Sequence, residues 1–162
     1  GKVVQLHTRS PQRVEAACPH YGVCGGCSFQ HVADDQQISI KEGLLQEQFR
    51  RIGKVDIPEI WSALTGPHWG YRRKARMGVK FVAKKNRVLV GFRERRNPFL
   101  ADMENCLVLH ESVGPHLVAL GEMFSGLTIR DKIPQIEMAV GDYNGNLKHY
   151  ACRQSKAEIK EN

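Results

Sequence analysis

The sequence predicts an α+β fold: a small antiparallel sheet of hairpins with two or three helices, a cysteine-bearing loop, and one leftover strand of an N-terminal barrel. Three observations carry that prediction. Apolar residues alternate by two through Tyr71–Ala83 and again at Val88, Val90 and Phe92, the pattern of strands with one buried face. Asn144-Gly145, the strongest short turn signal in the chain, separates two further strand-like runs. Between Asp34 and Ile52 the apolar period changes to that of a helix.

Taken in order, Lys2–Thr8 alternates weakly and reads as a strand, followed by the polar linker Arg9–Arg13. A lone strand has no independent stability. It therefore reads as the last strand of a preceding small barrel, giving a partial barrel over residues 1–10 and a central domain over 11–162. From Cys18 to Cys27 the chain reads as loop, with Pro19, Gly22, Gly25 and Gly26 leaving the backbone free to wrap something small. A helix is predicted over Asp34–Ile52, with Ile38, Leu44, Leu45, Phe49 and Ile52 as its apolar stripe, Asp34 or Asp35 as cap and Gly53 at its end.

After the turn-rich Gly66–Gly70, Ala75, Met77, Val79 and Phe81 should face one way and Arg72, Lys74, Arg76 and Lys80 the other. Lys84-Lys85-Asn86 is the turn of this hairpin. A short helix is predicted over Val113–Phe124 with Leu117, Leu120 and Phe124 inward. Ile133–Val140 and Leu147–Cys152 form the second hairpin, and Ser155–Asn162 begins a further helix.

Composition narrows the function classes. The chain has 162 residues, 41% hydrophobic and 25% charged, which suits one folded domain. It has no apolar run of membrane-spanning length, and its opening segment lacks the features of a signal peptide. The expectation is a cytoplasmic protein without a membrane partner, whose five cysteines stay reduced and serve as metal ligands before disulfides. Charge is unevenly placed. Between Arg72 and Arg96 eleven Lys and Arg residues face the single acid Glu94, +10 within 25 residues, so the overall +7 leaves −3 for the rest. Such a patch points to a polyanion, RNA or DNA first, with a solvated charged hairpin as the plainer alternative.

Cys18, Cys24 and Cys27 form a C-x5-C-x2-C run with Gly25-Gly26 inside the second pair. Three thiolates so close need a fourth ligand to complete a four-coordinate site. Cys106, in Asp102-Met-Glu-Asn-Cys106 just after the basic hairpin, is favoured over Cys152, which reads as a small buried hydrophobe within a strand. Spacing leaves the metal open, because zinc and iron centres both accept four thiolates. His20 and His31 read as turn or supporting residues, and His110 and His116 carry no ligand spacing.

The run Cys18-Pro-His-Tyr-Gly-Val-Cys24-Gly-Gly-Cys27-Ser-Phe-Gln-His31 resembles the cluster-binding segment of bacterial RNA uridine C5-methyltransferases, nearest to the branch acting on 23S ribosomal RNA. Trp69-Gly-Tyr-Arg-Arg-Lys-Ala-Arg76 and Gly91-Phe-Arg93 leading to Asp102–Cys106 match the same family in order. The resemblance implies an RNA-binding barrel, a central cluster domain and a C-terminal domain that binds S-adenosylmethionine. It implies that Cys18, Cys24, Cys27 and Cys106 ligate a 4Fe-4S cluster and that Arg76 contacts RNA. The family's nucleophile lies in a C-terminal Ser-Cys-Asn-Pro stretch that Ala151-Cys152-Arg153 does not match, and no Gly-rich loop to hold the methyl donor follows a strand. No catalytic or methyl-donor-binding residue is therefore assigned here, and the chain alone should not methylate.

The resulting expectation is a monomeric segment in which the cluster is a structural staple and Arg72, Arg73, Lys74, Arg76 and Arg93 meet ribosomal RNA. Trp69, Tyr71 and Phe92 read first as core and second as base-stacking surface. A stand-alone zinc-stabilised nucleic-acid adaptor is the alternative. An electron-transfer protein ranks last, because its partner surface is usually acidic or neutral.

Overall fold

The computed structural model describes residues 3–143, 147–150 and 153–154. The chain divides into two compact units, residues 1–19 with 27–66, and residues 20–26 with 67–162.

In the first unit, α1 spans Asp34–Gln48 and runs on as a single π turn over Phe49–Gly53. Asp34 and Asp35 lie in its first turn, where acids favour the helix dipole, but the cap position belongs to Ala33, which makes no side-chain capping bond. The expected Asp cap is thus corrected. The stop also moves by one residue, since Lys54 takes the left-handed conformation (φ 54°) that Gly53 was expected to supply. The apolar stripe meets no core: no residue of α1 is buried, and Ile52 is 80% exposed. Its unit contains no sheet among the described residues against which the stripe could pack. The strand expected at residues 2–8 is not seen among its described residues, 3–8. Residues 3–10 are exposed and join no ladder among the described residues, so the alternation of Val4 and Leu6 has no partner strand to act on.

The second unit holds the sheet. β1 (Lys74–Val82) pairs antiparallel with β2 (Arg87–Gly91) on one side and with β3 (Gln135–Tyr143) on the other. β4 (Leu147–Tyr150) and β5 (Arg153–Gln154) pair with β3, giving the order β2-β1-β3-β4 with β5 beside β3. The first hairpin turns through Ala83–Lys85 and the left-handed Asn86 (φ 48°), as its sequence predicts. The expected Asn144-Gly145 turn, Cys152 and the Ser155–Asn162 helix lie outside the described residues.

The period-two pattern sets the faces. Ala75, Met77, Val79, Val88, Val90, Ile136, Met138 and Val140 are buried, and the pairings Val79 to Val90 and Met77 to Ile136 place them on one face. Fully buried side chains such as Met77 and Leu117 contribute about 1.5–3 kcal/mol each. α2 (Leu117–Ser125), preceded by a 3-10 turn at Gly114–His116, covers the edge strand β2 and buries Leu117 and Phe124. Leu120, expected inward, is only half-buried; Gly121 takes the contact instead, because a Cβ there would lie 2.5 Å from the Val88 carbonyl oxygen. The Val88 N–H donates to Ser125 Oγ (2.9 Å), whose hydroxyl donates to the Gly121 carbonyl (2.7 Å). This pair closes a sheet edge that would otherwise offer unpaired backbone.

The opposite face departs from a purely cationic surface. Gly78 and Gly91 are directly paired, and added Cβ atoms would lie 2.5 Å from Leu100 Cδ2 and 3.2 Å from Met103 Sδ. The segment at 100–103 therefore crosses this face at its glycine pair, leaving Lys74, Arg76 and Lys80 exposed along β1. Among the described residues no helix is long and apolar enough to cross a membrane.

Candidate nucleic-acid and metal site

Two cysteines of the predicted set, Cys24 and Cys106, belong to the sheet-bearing unit, and both are buried at 7% exposure. The loop His20–Gly26 holds Cys24 by its own turns: the His20 carbonyl accepts from the N–H groups of Val23 (3.3 Å) and Cys24 (2.9 Å). His20 Nε2 accepts from the Glu104 N–H at 3.3 Å, which ties the loop to the segment that ends in Cys106. Gly26 donates its N–H to Cys24 Sγ (3.3 Å).

Each of these cysteines is hydrogen-bonded, through neighbouring backbone, to an arginine-bearing segment. Beside Cys24, Gly25 donates to the Arg93 carbonyl (2.8 Å) and Arg95 donates to the Val23 carbonyl (2.7 Å). Beyond Cys106, the N–H of Gly70 reaches the Leu107 carbonyl (2.8 Å), that of Arg72 the Val108 carbonyl (2.9 Å), and that of His110 the Arg72 carbonyl (3.0 Å). Cys106 itself donates to the Gly114 carbonyl at 3.0 Å. Its neighbour Asn105 has a buried side-chain oxygen with no hydrogen-bond partner among the described residues. Such an acceptor costs about 1–3 kcal/mol.

Cys18 and Cys27 belong to the other unit, where the Cys18 N–H donates to Gln30 Oε1 (3.2 Å). No disulfide joins Cys18, Cys24, Cys27 or Cys106. Among the described residues no three His, Cys, Asp or Glu side chains are gathered as a metal-holding group. The donor chemistry of four thiols fits a soft four-coordinate centre.

The cations are more extensively paired than charge counting suggests. Arg76 meets Glu137, its cross-strand partner on β3, with Nε 2.7 Å from Oε1 and Nη2 on the same oxygen. Arg87 reaches both oxygens of Asp102 (2.6 and 2.8 Å), and Lys85 shares that carboxylate. The Lys85 hydrogen bond holds the Asp102 carboxyl below its ordinary value; burial opposes it, and the charges of Arg87 and Lys85 add to the lowering. Arg72 lies 5.6 Å from the Phe92 ring centre. Arg73, Lys74 and Arg93 are exposed. The core reading of Trp69 and Tyr71 is corrected, since they are 39% and 50% exposed, while Phe92 is half-buried. Sequence reasoning missed Asp102 and Glu137 as charge partners, because pairing across 15 to 61 residues has no local signal.

No family model matches the chain. Curated relatives do. A protein of Methylococcus capsulatus named 23S rRNA (uracil(1939)-C(5))-methyltransferase RlmD is 51% identical over 142 residues, 88% of this chain and 32% of the relative. Proteins of the same name from Alkalilimnicola ehrlichii and Nitrosococcus oceani are 49% and 51% identical, each over 91% of this chain and 33% of the relative. The chain spans about a third of the length of the relatives it matches.

Proposed function

We propose that this chain, a homologue of a third-length stretch of the 23S rRNA uracil-C5 methyltransferases, is the part of such an enzyme that grips ribosomal RNA and carries a 4Fe-4S centre. Under this reading the longer enzyme, a cytoplasmic monomer, transfers a methyl group from S-adenosylmethionine to C5 of a uridine in 23S rRNA. The transfer chemistry belongs to sequence outside this chain. Cys18, Cys24, Cys27 and Cys106 would hold the cluster, whose four iron–sulfur bonds act as a staple. The zinc adaptor is not favoured, since the relatives carry an enzyme's name.

A single observation carries the reading: the buried cysteines Cys24 and Cys106 are bonded through adjacent backbone to the segments that bear Arg93 and Arg72. Fixing the cysteines thereby fixes the arginines. Arg72, Arg73, Lys74, Arg76 and Arg93 then form a set for phosphates, which fits ribosomal RNA. The Arg76–Glu137 pair does not oppose this. Its side chains are 66% and 26% exposed, and a pair so wet is worth about 0–1 kcal/mol.

The test is binding of this chain to an rRNA fragment as salt is raised. Steep loss of affinity is expected, and Arg76→Ala should reduce the log–log slope by about 0.7–0.9 without unfolding the domain. Salt-independent binding, or none, contradicts the reading.

A further inference from the structure

Beyond the residues assigned above, Phe92–Ala101 forms a small β-like finger whose tip carries Arg95, Arg96 and Phe99. Its stem is ordered by backbone pairing. Ala101 donates to the Phe92 carbonyl (2.9 Å), Glu94 donates to the Phe99 carbonyl (2.8 Å), and Arg93 bridges Leu100. Asn97 Oδ1 accepts from the Phe99 N–H (3.1 Å), so the tip is held as well.

The tip exposes an unusual combination. Phe99 is 68% exposed although its backbone is fixed, and Arg95 and Arg96 are exposed beside it. The Arg95 guanidinium lies 5.7 Å from the Tyr21 ring centre, one planar group already braced against an aromatic. Arg96 is held left-handed at φ 62°, a conformation a non-glycine residue keeps only where its surroundings over-determine it, and such strain gathers at ligand-binding positions. An ordered phenyl ring and a braced guanidinium flanking a cation are the elements that recognise unpaired bases: rings and guanidinium planes stack, and charge meets phosphate.

We infer that this finger is a stacking contact for single-stranded RNA, with Phe99 and Arg95 receiving unpaired bases and Arg96 a phosphate. The inference rests on the RNA-binding reading and deepens it. It also gives the cysteine loop a second consequence: Val23 and Gly25 are bonded to Arg95 and Arg93, so the turn holding Cys24 sets the finger's root.

The test measures binding of the whole chain to a fluorophore-labelled oligouridylate and to a fully paired RNA hairpin. Phe99→Ala should weaken oligouridylate binding about tenfold with its salt slope unchanged, since base stacking and not charge is removed. Arg95→Lys keeps the charge and loses the planar face, and should behave the same way. Neither change should alter duplex binding. If both variants bind oligouridylate like the unaltered chain while Lys74→Ala and Arg76→Ala weaken it, the finger is refuted and the strand-face reading stands. If the unaltered chain binds neither RNA, both fall.

Discussion

The amide of Cys106 donates to the carbonyl of Gly114, and the two backbones lie so close that a Cβ on Gly114 would overlap the Cys106 carbonyl oxygen. The glycine is required by proximity, not by a positive φ. Gly114→Ala should therefore destabilise the fold by about 1–3 kcal/mol, the cost of overpacking against rigid backbone. Urea unfolding checks this, and a midpoint equal to wild type would mean the Cys106 segment yields freely.

Ser125 stands between α2 and the edge of the sheet. Ser125→Ala leaves the part-buried Val88 N–H without its acceptor, at a cost of about 1–3 kcal/mol. Ser125→Thr keeps the hydroxyl and should recover much of the loss in the same assay. Equal melting of the Ala variant and wild type would show that the edge needs no cap.

Asp102 makes a pH-dependent contribution whose sign is fixed. Its carboxyl is held below the ordinary value by the Lys85 hydrogen bond first and the Arg87 charge next, so it binds protons more weakly folded than unfolded. Its stabilisation is fully present above the ordinary carboxylate value, roughly 4, and disappears as pH falls through the lowered one. Asp102→Asn should melt slightly lower than wild type at neutral pH, by less than about 1 kcal/mol for so exposed a pair, with the gap closing in acid. A gap that widens in acid contradicts the pairing.

Glu137 competes for Arg76. Glu137→Gln should leave stability nearly unchanged and tighten RNA binding, since it frees an exposed guanidinium and removes an acid from the basic surface. Filter binding at low salt measures this. Weaker binding would show that Glu137 orients Arg76 for RNA rather than occupying it.

These outcomes bear on how much the sequence could tell. The β1–β2 hairpin, its apolar face and its turn were legible because a period of two needs only neighbouring residues, and Met77 and Val79 are buried as that period requires. α1 was legible as a helix, but its burial was not, because the apolar stripe at Leu45 and Phe49 cannot announce whether a partner surface exists. The strand expected at residues 2–8 is not seen over residues 3–8 for a related reason: alternation does not by itself make a ladder. At the site, spacing and local motif single out Cys24 and Cys106, and both are buried. The pairing of Arg76 with Glu137 and of Lys85 and Arg87 with Asp102 was not legible, and it is the fold that joins them.

The central claim is that four thiolates hold an iron–sulfur centre beside an arginine-bearing sheet. Iron, sulfide and zinc should be measured in this chain purified without oxygen, alongside Cys106→Ser. The account predicts about four irons and four sulfides per chain, a broad visible absorption, and loss of both in the variant. Zinc in place of iron, or an iron centre that survives Cys106→Ser, would contradict it.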